Sequence, residues 1–263
     1  MKKIVFMLLV LAALALGTIW LVWNQSTKPN PVVQTIEVVP TPQPSTPPPA
    51  MIPVPAPVAP PALSPSTAIN QLVDSIDHEV PFTPQAPSAN WDAFHEEACE
   101  EASTLMVWHY FMKTKVGTTD QVEQELSDAA TWERANVGTD VSIPASDVVK
   151  MLQGHFKLDA ALMQTVSVAA FKKELAQDHL IIVPAQGQFL KNPYYKQPGP
   201  RYHMLVIRGY DTSGQLITND SGTKHGEKYL YDPDVLMNAI HDWNGGDVEN
   251  GAKVAIVVTG LTK

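Results

Sequence analysis

The chain has 263 residues, 44% of them apolar, and a formal net charge of −9. That length accommodates one sizeable domain with additional segments, and the acidic balance excludes a broad electrostatic grip on nucleic-acid phosphates, so no nucleic-acid partner is expected. The 23 prolines are unevenly spread: fourteen fall between Pro29 and Pro65, which marks a linker and not a fold.

Met1-Lys2-Lys3 precedes Ile4–Trp23, twenty residues without a charge. As a helix at about 1.5 Å per residue this spans roughly 30 Å, the thickness of a bilayer core. Trp20 and Trp23 stand at its far end, where an aromatic belt lies, and the lysines ahead of it place residues 1–3 in the cytoplasm and the remainder outside. A cleaved signal peptide has a shorter apolar region ending in a small-x-small site. Here Ala13-Leu14-Ala15 falls in mid-span, which favours an uncleaved, single-pass anchor in the cell membrane. Residues 24–68 are Pro-rich and polyproline-like, a spacer with a reach on the order of 100 Å. Residues 69–263 form the domain.

Within it, Ala98–Thr114 carries apolar residues at three- and four-residue steps and reads as a helix. Thr119-Asp120 offers a cap for a second helix over Gln121–Ala135. Pro144 suits the first turn of a third, through Leu152, and Val168–Gln177 gives a fourth. The period then changes. His179–Pro184, Tyr202–Asp211 and Gln215–Asn219 read as strands, the last two joined as a hairpin through Asp211-Thr-Ser-Gly214. Tyr229–Tyr231 suits an edge strand, a helix runs from Asp232-Pro to about Trp243, and Lys253–Val258 closes as a buried strand. Helices followed by a mostly antiparallel sheet define an α+β class, two layers around one core. No phosphate-binding glycine loop, zinc-ligand spacing or calcium loop is present.

The only cysteine, Cys99, opens the first helix. A helix N-terminus supplies partial positive charge and free N–H groups, which favour a thiolate and can hold a developing oxyanion. Gln85 lies fourteen residues upstream in a Pro-flanked loop. The base must come from the histidines. His109 sits about 15 Å along the same helix and cannot reach the thiol. His78 and His95 lie in loops, His95 near enough in sequence to stand in reserve. His155, His179, His225 and His241 sit at element ends without an obvious orienting acid. His203 begins a strand whose hairpin partner returns through Asn219-Asp220, which brings a carboxylate beside the imidazole. Cys99, His203 and Asp220 thus follow nucleophile, base and orienter logic.

Val80-Pro81-Phe82-x-x-Gln85, Trp91 and Ala98-Cys99, then Tyr202-His203-Met-Leu-Val-Ile-Arg-Gly209-Tyr210-Asp211 and Asn219-Asp220, resemble the bacteriocin-processing (double-glycine leader) peptidase-like cysteine peptidases of the papain-like superfamily. The resemblance covers roughly Val80 to Val258. It implies a papain-like fold, a peptide or protein substrate, and an oxyanion hole at Gln85, with nucleophile Cys99, base His203 and orienting Asp220. Neither metal nor cofactor is called for.

Many such relatives follow the cysteine with Gly-Pro, whereas Glu100-Glu101 follow here and Glu96-Glu97 precede. Carboxylates in a first turn stabilise a helix but oppose thiolate formation. One charge about 6 Å away costs ~3 kcal/mol at an effective dielectric near 20, roughly two pK units. Glu100 and Glu101 are therefore also candidate contacts for a cationic substrate. The loop Gln186–Arg201 precedes His203 and suits a cleft wall, with Lys191, Tyr194, Tyr195 and Arg201 as candidate specificity residues. An NlpC-type cell-wall amidohydrolase, an acyltransferase and a non-catalytic surface-displayed binding module use the same framework and remain alternatives.

Overall fold

The computed structural model describes residues 74–139 and 141–263. The expected cytoplasmic N-terminus (1–3), membrane anchor (4–23) and Pro-rich linker (24–68) lie outside the described residues. A two-residue strand β1 (Ile76–Asp77) comes first. Three helices follow: α1 (Cys99–Met112), α2 (Thr119–Asn136) and α3 (Ala145–Gly154). Then come β2 (Leu158–Met163), α4 (Val168–Leu175), β3 (Leu180–Ala185) and β4 (His203–Tyr210). The chain closes with β5 (Leu216–Asn219), β6 (Tyr229–Tyr231), α5 (Pro233–Ala239) and β7 (Ala255–Leu261).

Helix ends follow local chemistry. α1 stops where Lys113 takes a left-handed conformation (φ 56°), with Thr114 N–H donating to the His109 carbonyl at 3.0 Å and Lys113 N–H to that of Tyr110 at 3.1 Å, a Schellman closure. α2 starts at Thr119, two residues earlier than its sequence suggests. Thr118 is the cap, and it exchanges bonds with Gln121 in a capping box. Pro144 likewise caps α3 instead of occupying its first turn. α5 ends at Ala239, short of Trp243, because Ile240 turns extended and bridges to Ala185.

All strand pairs are antiparallel, in the order β2-β7-β3-β4-β5-β6, with β1 added alongside β4. The fold is α+β as expected, but the sheet is buried on both faces, so the single core of a two-layer scheme is replaced by two. Along β4, Met204 and Val206 join the cluster under α1, α2 and α3, whereas Leu205 and Ile207 join the cluster under α4 and α5. Period-two alternation thus feeds apolar side chains to both sides. α1 is enclosed as well: eleven of its 14 residues are buried. That is why its polar residues Glu100, Glu101, Ser103 and Thr104 must find partners inside the protein.

The segment leading to Gln85 is fastened by a buried cation. Arg208 of β4, 1% exposed, donates from Nε to Asp77 Oδ1 (2.7 Å) and from Nη1 to the Val80 carbonyl (3.0 Å) and Asn219 Oδ1 (3.2 Å). Asn219 Nδ2 adds bonds to the carbonyls of Val80 and Pro81. These contacts lead the chain across the ends of β4 and β5 and into the loop before α1.

Candidate active site

Gln85, Cys99 and His203 come together on one cleft of about 1160 Å³, with Tyr194 and Tyr195 on its wall. Cys99 enters as the first residue of α1, whose N-cap Ala98 provides no side-chain cap, and His203 as the first residue of β4. Ser103 Oγ donates to the Met204 carbonyl at 3.1 Å and ties the helix to the strand. The exposed apolar side chains Trp91, Val141 and Tyr194 line the same cleft. Cations Lys196, Arg201 and Lys224 stand on it with the His203 loops, and Glu96 and Glu97 with the segment before Cys99.

Asp220 lies at the end of the β4–β5 hairpin, fully buried, and accepts five hydrogen bonds. Oδ1 takes His203 Nε2 at 2.9 Å and Gly222 N–H at 3.0 Å. Oδ2 takes the hydroxyls of Tyr195 and Tyr231, each at 2.6 Å, and Asn192 Nδ2 at 3.0 Å. Burial alone would raise its pKa. The charge and hydrogen bond of His203, with the two tyrosine hydroxyls, outweigh burial and hold it at about 2. An ionised acceptor at Nε2 makes that nitrogen the donor and leaves Nδ1 as the basic nitrogen. The Tyr195 ring meets the imidazole edge-on, centroids 5.6 Å apart. Gly222 permits the close fit, since a Cβ there would lie 2.9 Å from Tyr195 Cε1 and 3.0 Å from His203 Cε1.

Sequence reasoning placed His203 beside Asp220 but missed Asn192 and Tyr231, which complete the acid's surroundings. It also read Tyr195 as a specificity residue, whereas its hydroxyl is spent on Asp220 and only its ring faces the cleft. Tyr194 does present itself to solvent, stacked near His225 with centroids 4.4 Å apart. No local pattern betrays Asn192 or Tyr231, because their roles depend on contacts 28 and 11 residues away along the chain.

His95 is removed from reserve as a base. Its ring nitrogens are committed to Asp92 Oδ1 (2.8 Å) and Glu123 Oε2 (2.6 Å). Partial burial would lower its pKa, but bonds and charges from Glu123 and Asp92 outweigh it and raise the value. The resulting clamp fastens the loop before α1 to α2, and its product is felt at Gln85. Nε2 of Gln85 donates to the carbonyls of His95 (2.8 Å) and Glu96 (3.2 Å), while Ser221 Oγ donates to Gln85 Oε1 at 3.4 Å. Both amide hydrogens therefore serve the loop in this arrangement, and service to an oxyanion requires one of them to be exchanged.

Glu100 and Glu101 are displaced from the role of substrate contacts. The first turn of α1 directs both inward, 2% and 1% exposed, and neither lines the cleft. Glu100 Oε2 accepts the Cys99 thiol at 2.8 Å and Oε1 accepts Ile143 N–H at 3.1 Å. Burial, only partly offset by those donors, raises its pKa to about 7. Glu101 is pushed well above the carboxylate range by burial and by the charges of Glu133 on α2 and Glu100, and its Oε1 has no hydrogen-bond partner among the described residues. The Cys99 thiol is itself raised well above its ordinary value by burial, then by Glu100 and Glu101. Among the described residues no Cys99–His203 hydrogen bond is formed, and no cluster of three or more metal-ligating side chains occurs.

Chains of known structure resemble this one at low identity. One is a Bacillus anthracis protein assigned as a C39-like peptidase, with 13% identity, a TM-score of 0.48, and coverage of 72% of this chain and 99% of its own. Another is a fragment of Prevotella intermedia prointerpain A, with 10% identity, a TM-score of 0.46, and coverage of 73% and 74%. Comparison with curated proteins returned no match. The family is shown by the sequence itself: residues 77–245, more than half of the chain, match the Peptidase_C39 like family. Spanning both the cysteine helix and the histidine–aspartate hairpin, that match makes the chain a member of the Peptidase_C39 like family of cysteine peptidases.

Proposed function

We propose that the protein hydrolyses peptide bonds with Cys99 as nucleophile, His203 as base and Asp220 as its orienting acid. The observation that carries this reading is the buried His203–Asp220 pair, which spends Nε2 on the acid, on a cleft that His203 and Cys99 both line. In the first step Nδ1 takes the thiol proton while Sγ bonds to the substrate carbonyl carbon. Collapse of the tetrahedral adduct breaks the C–N bond, and His203 passes the proton to the departing amine. Water, deprotonated by the same imidazole, then cleaves the thioester. The Cys99 N–H at the uncapped helix start is one oxyanion donor, and Gln85 becomes the second when its amide releases a loop carbonyl. The fixed Nε2–H···Asp220 bond holds the tautomer that each step needs.

The sequence of residues 1–68 adds a location to this reading. A twenty-residue apolar segment and a Pro-rich spacer place the peptidase outside the cytoplasm, held to the cell membrane. Trypsin added to intact cells checks this, since an extracytoplasmic domain is digested and a cytoplasmic one survives.

Labelling by an electrophilic peptide probe tests the triad in wild type, Cys99→Ala and His203→Ala. Label should vanish without the thiol and slow at least tenfold without the imidazole. Equal labelling of His203→Ala and wild type would sink the base assignment. An unreactive wild-type thiol would point to the non-catalytic binding module. Hydrolysis of purified peptidoglycan in place of unstructured protein would favour the amidohydrolase.

A further inference from the structure

The thiol has two competing partners, and in this structure it is committed to the one that does not catalyse. Glu100 lies next to Cys99 in the first turn of α1. Its Oε2 receives the thiol at 2.8 Å, while its Oε1 is fixed by Ile143 N–H at 3.1 Å. Ile143 belongs to the segment whose Val141 and Ser142 line the cleft, and its carbonyl accepts the Tyr202 hydroxyl at 3.0 Å. Tyr202 immediately precedes His203. A continuous set of bonds therefore runs from the thiol through Glu100 and Ile143 to the residue beside the base. Ser142 Oγ bonds Glu97 Oε2 at 3.0 Å and secures the same segment a second time. A carboxyl held this firmly, 2% exposed, cannot swing into solvent to relieve its charge.

We propose that Glu100 is a positioning residue that gates the nucleophile: ionised, it holds the Cys99 thiol as a protonated donor turned from His203, and protonated, it releases the thiol to the imidazole. This gate rests on the Cys99–His203 reading above. The proton balance is simple. Acidification adds one solvent proton to Glu100, the thiol loses its acceptor and rotates about Cα–Cβ, and Sγ–H then transfers its own proton to Nδ1. Burial sets the working range by bringing the Glu100 pKa to about 7. The other groups around the pair do not supply a competing switch. Glu101 from α1 faces Glu133 of α2. Glu97 in the preceding turn is taken by Ser142. Asp242, near Tyr202, accepts Ala145 N–H at 2.8 Å and Trp243 N–H at 2.8 Å. Tyr202 stays a neutral donor, raised well above its ordinary range by burial and by Glu100. The consequence is a nucleophile whose reactivity stops rising with pH once Glu100 ionises.

Alkylation of Cys99 by iodoacetamide, followed by intact mass across pH 5 to 10, reads the gate without any substrate. In a His203→Ala background the rate should climb about tenfold per pH unit up to roughly pH 7 and then level off, because ionisation of Glu100 opposes the thiolate. Adding Glu100→Gln should restore a continuous climb and make alkylation about tenfold faster at pH 8. A second variant, Glu100→Ala, should do the same. If the gated protein already climbs without a plateau, or if both variants keep one, the proposal is overturned. The plateau is read in the otherwise native protein, so the outcome does not depend on either Glu100 variant folding. Failure of the triad reading looks different, since it appears as equal probe labelling with and without His203.

Discussion

Two carboxyl sites flank the cleft, and their pKa values are moved in opposite directions. On the hairpin side Asp220 is fully buried yet ionised, because five donors, one of them an imidazole, converge on it. On the helix side Glu100 and Glu101 are just as buried but meet few donors and another carboxyl, so burial prevails and favours their neutral forms. Depth decides neither case; the supply of N–H and O–H groups does. The hairpin supplies donors because Gly222 follows the acid and because Tyr195 and Tyr231 arrive from a loop and an edge strand. The helix does not, because beyond its own backbone Glu100 draws only on the thiol and Ile143 N–H, and Glu101 faces the acidic Glu133 of α2.

The comparison breaks most completely if the hairpin acid loses its charge. Asp220→Asn removes the acceptor that fixes the His203 tautomer, and kcat should fall on the order of 10³–10⁴ with KM little changed, by steady-state hydrolysis of a fluorogenic peptide. Unfolding at acid pH checks the same carboxylate. Its folded pKa of about 2 lies below the ordinary aspartate value of 3.8, so its stabilisation is present above 3.8 and disappears as pH falls through about 2. The Asn variant should show a smaller loss of Tm across that window than wild type.

A gentler change thins the donor set. Tyr231→Phe deletes one charge-assisted bond of about 1.5–3 kcal/mol at most, and kcat should drop roughly tenfold with KM unchanged. A matching rise in KM would mean that Tyr231 supports the cleft at large and not the acid.

The smallest effect is expected on the helix side, where relief should stabilise. Glu133→Gln removes the like charge facing Glu101 and supplies an amide donor. Tm at pH 8 should rise by ~2–4 °C, about 1 kcal/mol for a domain of this size, with no rise near pH 4.5. The sign follows from the raised carboxyl pKa values. The native state binds protons that the unfolded chain has already lost, so stability declines as pH rises from about 4.5, and for Glu100 that decline ends near 7.

Much of this contrast is legible in the sequence, and the missing parts share a cause. Cys99 at a helix start, His203 at a strand start and Asp220 after the returning strand follow from local periodicity and one hairpin. The apolar β-branched strands β3, β4 and β7 were equally readable. β2 was not: Leu-Asp-Ala-Ala-Leu-Met has no β-branched residue, and it is strand only because β7 pairs with it along its whole length. The enclosure of α1 was also hidden. A helix buried all round gives no amphipathic stripe, so its glutamates read as solvent-facing substrate contacts when they are interior groups. Asn192 and Tyr231 escaped notice because what selects them is a carboxylate delivered from another part of the fold.

The Arg208 anchorage fixes where this domain can be cut from whatever precedes it. A cleavage between Asp77 and Val80 would remove a carboxylate from an interior guanidinium and also free the lead into the Gln85 loop. Any shedding event that leaves an intact peptidase must therefore act upstream of Ile76. Limited proteolysis of the full chain should accordingly converge on a resistant fragment whose N-terminus lies ahead of that residue.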